Sequence, residues 1–563
     1  MKKKTLFTSL LLLSTVLTTG LITGCGEETP SINPTLSLVD WEYSDSILDD
    51  KYRNFYEVYV RSFYDANGDG FGDLRGLGLK MEYIHDLGFN GIWMMPIHPS
   101  ISYHKYDVDD YYGIHSEYGT MADFEFMMQK ANEYDVAVVL DLVINHSSAR
   151  HPWFTEAIKG LKEFSTPTSD NKPTEECIAK YPTVDYYNFR HGKKPIQGVY
   201  RQVPGTSWWY ESWFSDNMPD LNLNNESLKQ EIVDIMRFWL EKGVKGFRLD
   251  AALHFFNSAE AQNVKFLSWL ETEAKKIYED VYFVAEVWQG KTEQRYYASG
   301  LDSFFNFSNS QGGGTVISSI VDENAAKFID GIVTYEKDAK AYDEEAIIAN
   351  FLGNHDMQRS ANSCVNEYQR ENGSWGLFID ENYVKMSLGL NQMISGTSWV
   401  YYGEEIGMIG SSKKADENYR TAMLWSDDPY EICKNPPNAE AREQKYDDGI
   451  YPGNVEEQLA NPNSILNYLK IATRLRYKYP AIARGRQSLI SFEESNEYAI
   501  LVKDYNNEKL YILINLSNDV ENVNLNDDLS SLVVLDTLSI DGVASKKVKK
   551  LLEVQPYSIT ILK

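Results

Sequence analysis

Cysteine is scarce, with four in 563 residues. Cys177, Cys364 and Cys433 lie far apart, lack metal-ligand spacing and allow one disulfide at most, so neither a disulfide framework nor a cysteine-bound metal organises the fold. Positive charge is also short. Against 82 Asp and Glu stand 54 Lys and Arg, and a net charge of −28 argues against nucleic acid as a partner, because binding it needs a basic face. No apolar run after residue 24 is long enough to span a membrane. Internal repeats and low-complexity tracts are missing too. What remains is ordinary for a soluble globular protein, 43% apolar and 24% charged, and too long for one core, so two to four domains are expected.

The N-terminus stands apart. "MKKK" followed by "LFTSLLLLSTVLTTGLITG" is a charged and then apolar secretory signal, residues 1–24. It ends in "LITGC", which resembles a bacterial lipobox with Cys25 as the lipidated first residue. The alternative is an ordinary signal with a chance cysteine. Residues 25–50 read as the lipidated Cys25 and a polar tether, which makes the expected address exported and held at the membrane by lipid alone.

From about residue 51 short apolar runs alternate with polar loops and amphipathic helical stretches. The runs are "FYEVYV", "GIWMMPI", "VAVVLDLVI", "VKGFRLD", "VYFVAEVW", "SFFNFS", "AIIANFLGN" and "SWVYYG". Eight strands alternating with helices predict an α/β fold, a (β/α)₈ barrel with catalytic residues at the C-terminal strand ends. The barrel is expected over 51–146 and 216–478. A Trp- and Tyr-rich excursion domain interrupts it at 147–215, and an antiparallel β domain closes the chain at 479–563, where the pattern turns to period two.

The strand ends carry the chemistry. "DLVINH" supplies Asn145 and His146, "GFRLD" Arg248 and Asp250, "VAEVW" Glu286, and "FLGNHD" His355 and Asp356. Each alone could be a helix cap or a core pair. Together they set three carboxylates, two histidines and an arginine on one face. Retaining glycoside hydrolysis needs two such carboxylates across the scissile bond. Arg248 favours the ionised form of Asp250, while Val284 and Trp288 beside Glu286 suit a group that holds its proton.

These motifs, with "MPDLN", occur in the order of the α-amylase family, glycoside hydrolase family thirteen, which the chain resembles over nearly all of 51–563. The resemblance implies Asp250 as nucleophile, Glu286 as general acid/base and Asp356 as transition-state stabiliser. It also implies His146, His355 and Tyr106 around the sugar before the cleaved bond, with Arg248 holding Asp250. Asp107 and Arg420 resemble a pair that caps the non-reducing end in exo-acting relatives. Leu253–His254 stands where a Lys–His pair is frequent, and Lys105 where Gly is usual.

In "YDANGDGFGDLRG", Asp65, Asn67 and Asp69 at alternate positions match the first half of a calcium loop, or a polar Gly-rich turn. Family members with this loop bind calcium through these three, the carbonyl of Phe71, and Asp73. A second calcium on Asn145, Asp220 and the His254 carbonyl occurs in some amylases. The expected activity is endo hydrolysis of α-1,4-glucan by a monomer. The alternatives are an α-glucosidase, neopullulanase-like or transglycosylating relative and, outside enzymes, a glucan-binding protein, whose loss of carboxylates is not seen here.

Overall fold

The computed structural model describes residues 50–563 except 197, 291, 370–374, 411–414, 429 and 440–451. The signal and Cys25 lie outside the described residues. Eight strands form a closed parallel barrel: β1 Asn54–Val58, β2 Gly91–Met94, β3 Ala137–Leu142, β4 Gly246–Leu249, β5 Tyr282–Ala285, β6 Ser303–Asn306, β7 Ile347–Phe351 and β8 Thr397–Tyr401. Each comes from one of the eight apolar runs. Neighbours follow chain order, and β1 closes onto β8 with Glu57 opposite Tyr401.

The period of two along each strand sorts side chains into an inner and an outer set. Tyr56 and Val58 face the surrounding helices. Phe55, Trp93, Tyr282, Phe305, Phe351 and Trp399 fill the barrel, Phe55 stacked on Trp399 with centroids 4.0 Å apart. Gly91 makes this layer possible, because a Cβ there would lie 2.5 Å from the Phe55 ring. The next inward position on several strands is charged: Glu57 above Phe55, Asp141 above Val139, Glu286 above Val284. On β4, Arg248 lies in register with Asp141 and Val284. One further step of the alternation therefore lifts these strands from an apolar floor to a charged rim.

Amphipathic helices enclose the barrel. Glu226–Glu241, capped by the Asn225 side chain accepting from the Leu228 N–H, buries Leu228, Ile232, Ile235, Met236 and Trp239 at helical spacing. Between β3 and β4 the chain leaves the barrel for helices Pro152–Glu163 and Glu175–Lys180 and a three-stranded antiparallel sheet ordered Phe189–His191, Trp208–Glu211, Tyr200–Gln202. After the barrel come an antiparallel five-stranded sheet, from Arg486–Ile490 to Ser558–Leu562, and a three-stranded one.

Candidate active site

Arg248 is the hub of the rim. Its Nη1 donates to both oxygens of Asp141 at 3.1 Å and to Asp250 Oδ1 at 2.7 Å, and its Nη2 donates to Glu286 Oε2 at 2.8 Å. The same Glu286 oxygen accepts the Ala251 N–H at 3.0 Å. One buried guanidinium thus bridges the two carboxylates that lead their motifs. Asp356 is anchored separately: His355 Nε2 lies 2.9 Å from its Oδ2, and Arg420 Nη2 donates to its Oδ1 at 2.7 Å. The three carboxylates line one cleft of about 540 Å³ with Tyr106, His146 and Trp288.

Burial pushes the Glu286 carboxyl up; Arg248 opposes this, and the charges of Asp250 and Asp356 reinforce it. Burial acts the same way on Asp356, but His355 and Arg420 outweigh it and hold that carboxyl well below the usual range. The site therefore contains one carboxyl biased to keep its proton and one biased to lose it.

Tyr106 stacks along the His355 ring, centroids 5.6 Å apart, and its hydroxyl donates to Asp141 Oδ2 at 3.0 Å. His146 is buried, with Nε2 3.2 Å from the Tyr106 carbonyl oxygen, and burial lowers its pKa. The lysine at 105 takes φ 66, a left-handed backbone that explains why Gly suits this place.

Asp107 and Arg420, which resemble an end-capping pair in sequence, each bond to other groups in the structure. Asp107 accepts from the hydroxyls of Ser100 and Ser102, whereas Arg420 is turned to Asp356, to the His355 carbonyl and to Asp416. Two neighbouring serine hydroxyls satisfy Asp107 locally, and Asp356 holds the arginine.

Two buried carboxylates of the site were given no role from the sequence: Asp141, which heads "DLVINH", and Glu57, inside "FYEVYV". A lone acid in an apolar strand was the available signal, because burying one demands a cation.

The model of the alpha-amylase catalytic domain matches residues 57–485. The chain belongs to the alpha-amylase family. It is 35% identical to Alpha-amylase 3 of Dictyoglomus thermophilum over 91% of this chain and 93% of that protein. It is 29% identical to the oligo-1,6-glucosidase of Parageobacillus thermoglucosidasius over 82% and 89%. The solved structure of Eubacterium rectale Amy13B superposes with a TM-score of 0.81 at 37% identity, covering 92% and 96%. This alpha-amylase family member is a glycosidase.

The loop expected to bind calcium in this family member is a run of side-chain-capped turns. Asp65 accepts from the N–H groups of Asn67, Gly68 and Gly70, Asn67 from Asp69, and Asp69 from Phe71. Asp73 accepts from Gly76 and Ala66. The Lys434 ammonium donates to the Asp69 carbonyl at 2.7 Å and lies over the Phe71 ring. Among the described residues no three His, Cys, Asp or Glu side chains gather closely enough to hold a metal, so Asp65, Asp69 and Asp73 do not close a shell by themselves. The donor set, hard oxygens at alternate positions, nonetheless fits calcium chemistry. Elsewhere Asn145, Asp220 and His254 border one polar cavity of about 250 Å³, together with Glu211.

Proposed function

We propose that this glycosidase is an α-amylase acting on internal α-1,4-glucosidic bonds of starch or maltodextrin, with retention. The observation that carries the chemistry is Arg248 bridging Asp250 and Glu286. Carboxylates joined by one guanidinium suit the short separation of retaining enzymes, about 5–5.5 Å, better than the wider inverting spacing. Asp250 attacks the anomeric carbon while Glu286 gives its proton to the departing glycosidic oxygen. Water then enters, losing its proton to Glu286, attacks the same carbon and frees Asp250. Asp356 binds sugar hydroxyls more tightly as positive charge develops on the ring, and Tyr106 offers its aromatic face to the apolar C–H edge of the sugar.

Endo attack is supported by Arg420 being engaged with Asp356 rather than Asp107, which leaves that end of the cleft without a closing ion pair. Product analysis from soluble starch, maltotriose and pullulan, with anomeric configuration read by NMR, tests the whole reading. Release of glucose alone with slow loss of iodine staining overturns endo action, and preferred cleavage of isomaltose or panose overturns the linkage.

Three attributes belong to the same reading. Calcium is held by Asp65, Asn67, Asp69, the Phe71 carbonyl and Asp73, and steadies the loop without entering the reaction. The enzyme is exported and anchored through lipid on Cys25; an unmodified mature terminus away from Cys25 in mass spectrometry overturns that. It works as a monomer, which light scattering of the anchor-free protein checks.

A further inference from the structure

His355 is fully buried, and each of its ring nitrogens faces a carboxylate. Nδ1 lies 2.6 Å from Glu57 Oε1, and the same oxygen accepts the His355 backbone N–H at 3.3 Å. Nε2 lies 2.9 Å from Asp356 Oδ2 and 2.7 Å from the Tyr106 hydroxyl, whose own proton goes to Asp141. An ionised carboxylate only accepts hydrogen bonds. A neutral imidazole would therefore set a lone pair against one of the two acids, whereas an imidazolium satisfies both. Glu57 is on β1, on the side of the ring away from the cleft, and is not among the cleft-lining residues.

We propose that Glu57 is a positioning residue for the glycosidase reaction, holding His355 as an imidazolium so that His355 in turn orients Asp356 and keeps it ionised. This rests on the reading of Asp356 as the transition-state stabiliser. The line runs from strand to sugar: Glu57, His355, Asp356. Along this line the charged ring donates at both nitrogens, through Nδ1 to Glu57 and through Nε2 to Asp356. The other charged or titratable groups around the ring are Tyr106 on the β2 loop, Asp141 on β3, Arg248 on β4, and Arg420 and Asp416 after β8. The edge of the Trp93 ring packs beside it, 5.4 Å between centroids. Burial opposes the charge, but Asp356 and Glu57 overcome it and raise the imidazole to about 9. The alternative is a plain buried ion pair tying β1 to the loop after β7, important for folding and silent in catalysis.

Glu57→Gln keeps the shape and one hydrogen bond while removing the charge. The informative readout is kcat/KM against pH with α-maltosyl fluoride. That ratio reports the bond-breaking step, and fluoride departs without the proton of Glu286. The full enzyme is expected to keep activity to near pH 9. In Glu57→Gln the alkaline limb should move down by roughly one to three pH units, with kcat falling on the order of tenfold at pH 8 and KM little changed. A folded Glu57→Gln enzyme with the wild-type limb overturns the proposal. If that variant does not fold, ¹⁵N NMR of histidine-labelled wild type decides: His355, identified by its loss in His355→Asn, should carry two N–H nitrogens at pH 7, and a neutral ring overturns the proposal. Asp356→Asn separates the two levels. Wild-type activity there removes the role of Asp356 and the proposal with it. An inactive Asp356→Asn beside an unshifted Glu57→Gln profile removes the role of Glu57 alone.

Discussion

Arg248 and Asp141 occupy paired positions on β4 and β3, and one guanidinium nitrogen donates to both oxygens of that carboxylate. The pair is completely buried, yet Arg248 also serves Asp250 and Glu286. Asp141 thus holds the arginine from below while the two cleft carboxylates hold it from above. A cation shared by three acids is fixed in position without occupying the space a sugar needs.

Removing that cation is expected to be severe. Arg248→Met should destabilise the fold by about 3–5 kcal/mol, since it leaves buried carboxylates uncompensated, and should abolish hydrolysis. Arg248→Lys keeps the charge but loses the fork that reaches two acids at once, so its Tm should partly recover while activity stays low. Thermal unfolding and starch hydrolysis measured on both variants check this.

Asp250→Asn, Glu286→Gln and Asp356→Asn should each lower kcat at least about a thousandfold, roughly 4 kcal/mol of barrier. All three sit at the barrel rim, so circular dichroism and Tm should stay near wild type. Near-normal hydrolysis by a folded Asp250→Asn protein would reduce that residue to a helix cap.

Arg420→Ala distinguishes an anchor from an end cap. As the anchor of Asp356 through Nη2, its loss should depress kcat for every chain length and leave product sizes unchanged. A shift from short to longer products, with kcat preserved, would instead support the end-capping role that the resemblance to exo-acting relatives implies.

The pH dependence on ordinary glucans follows from Glu286. Burial raises its carboxyl, and the protonated form is the one that donates. Hydrolysis should therefore persist above the usual glutamic acid range, near 4.3, and fall as pH rises through the raised value. With α-maltosyl fluoride, which needs no donated proton, that limb should vanish from kcat/KM.

Ala251 takes a left-handed backbone, φ 49, directly after Asp250, and lines the cleft. Ala251→Val meets both a narrower pocket and a conformation hostile to branched side chains. Its kcat/KM on maltooligosaccharides should drop by about one to three kcal/mol. An unchanged value would show that the leaving sugar passes elsewhere.

Chelation should lower Tm through loss of a ligand bound only by the folded state, and Asp69→Ala should remove most of that sensitivity. Calorimetry with and without EDTA, beside elemental analysis, measures both. No bound calcium and no thermal shift would make the loop a turn held by its own N–H groups and Lys434.

Local pattern in the sequence determined the eight strands and their end-of-strand acids. A strand alternates every two residues whatever lies beside it, and a carboxylate after an apolar run stands out on its own. That was enough for the barrel and for setting Asp250, Glu286 and Asp356 on one face of it. The partners of the buried charges were not local. Asp141 meets Arg248 from 107 residues away, and Glu57 meets His355 from 298. Within their own segments both acids look like interruptions of a core strand. Arg420 shows the same limit, since "NYRTAMLW" contains the guanidinium but nothing that chooses Asp356 over Asp107. Closing the barrel makes that choice: it places β1 against β8 and the rim loops over one floor, and in a buried site a charge pairs with the acid nearest in space.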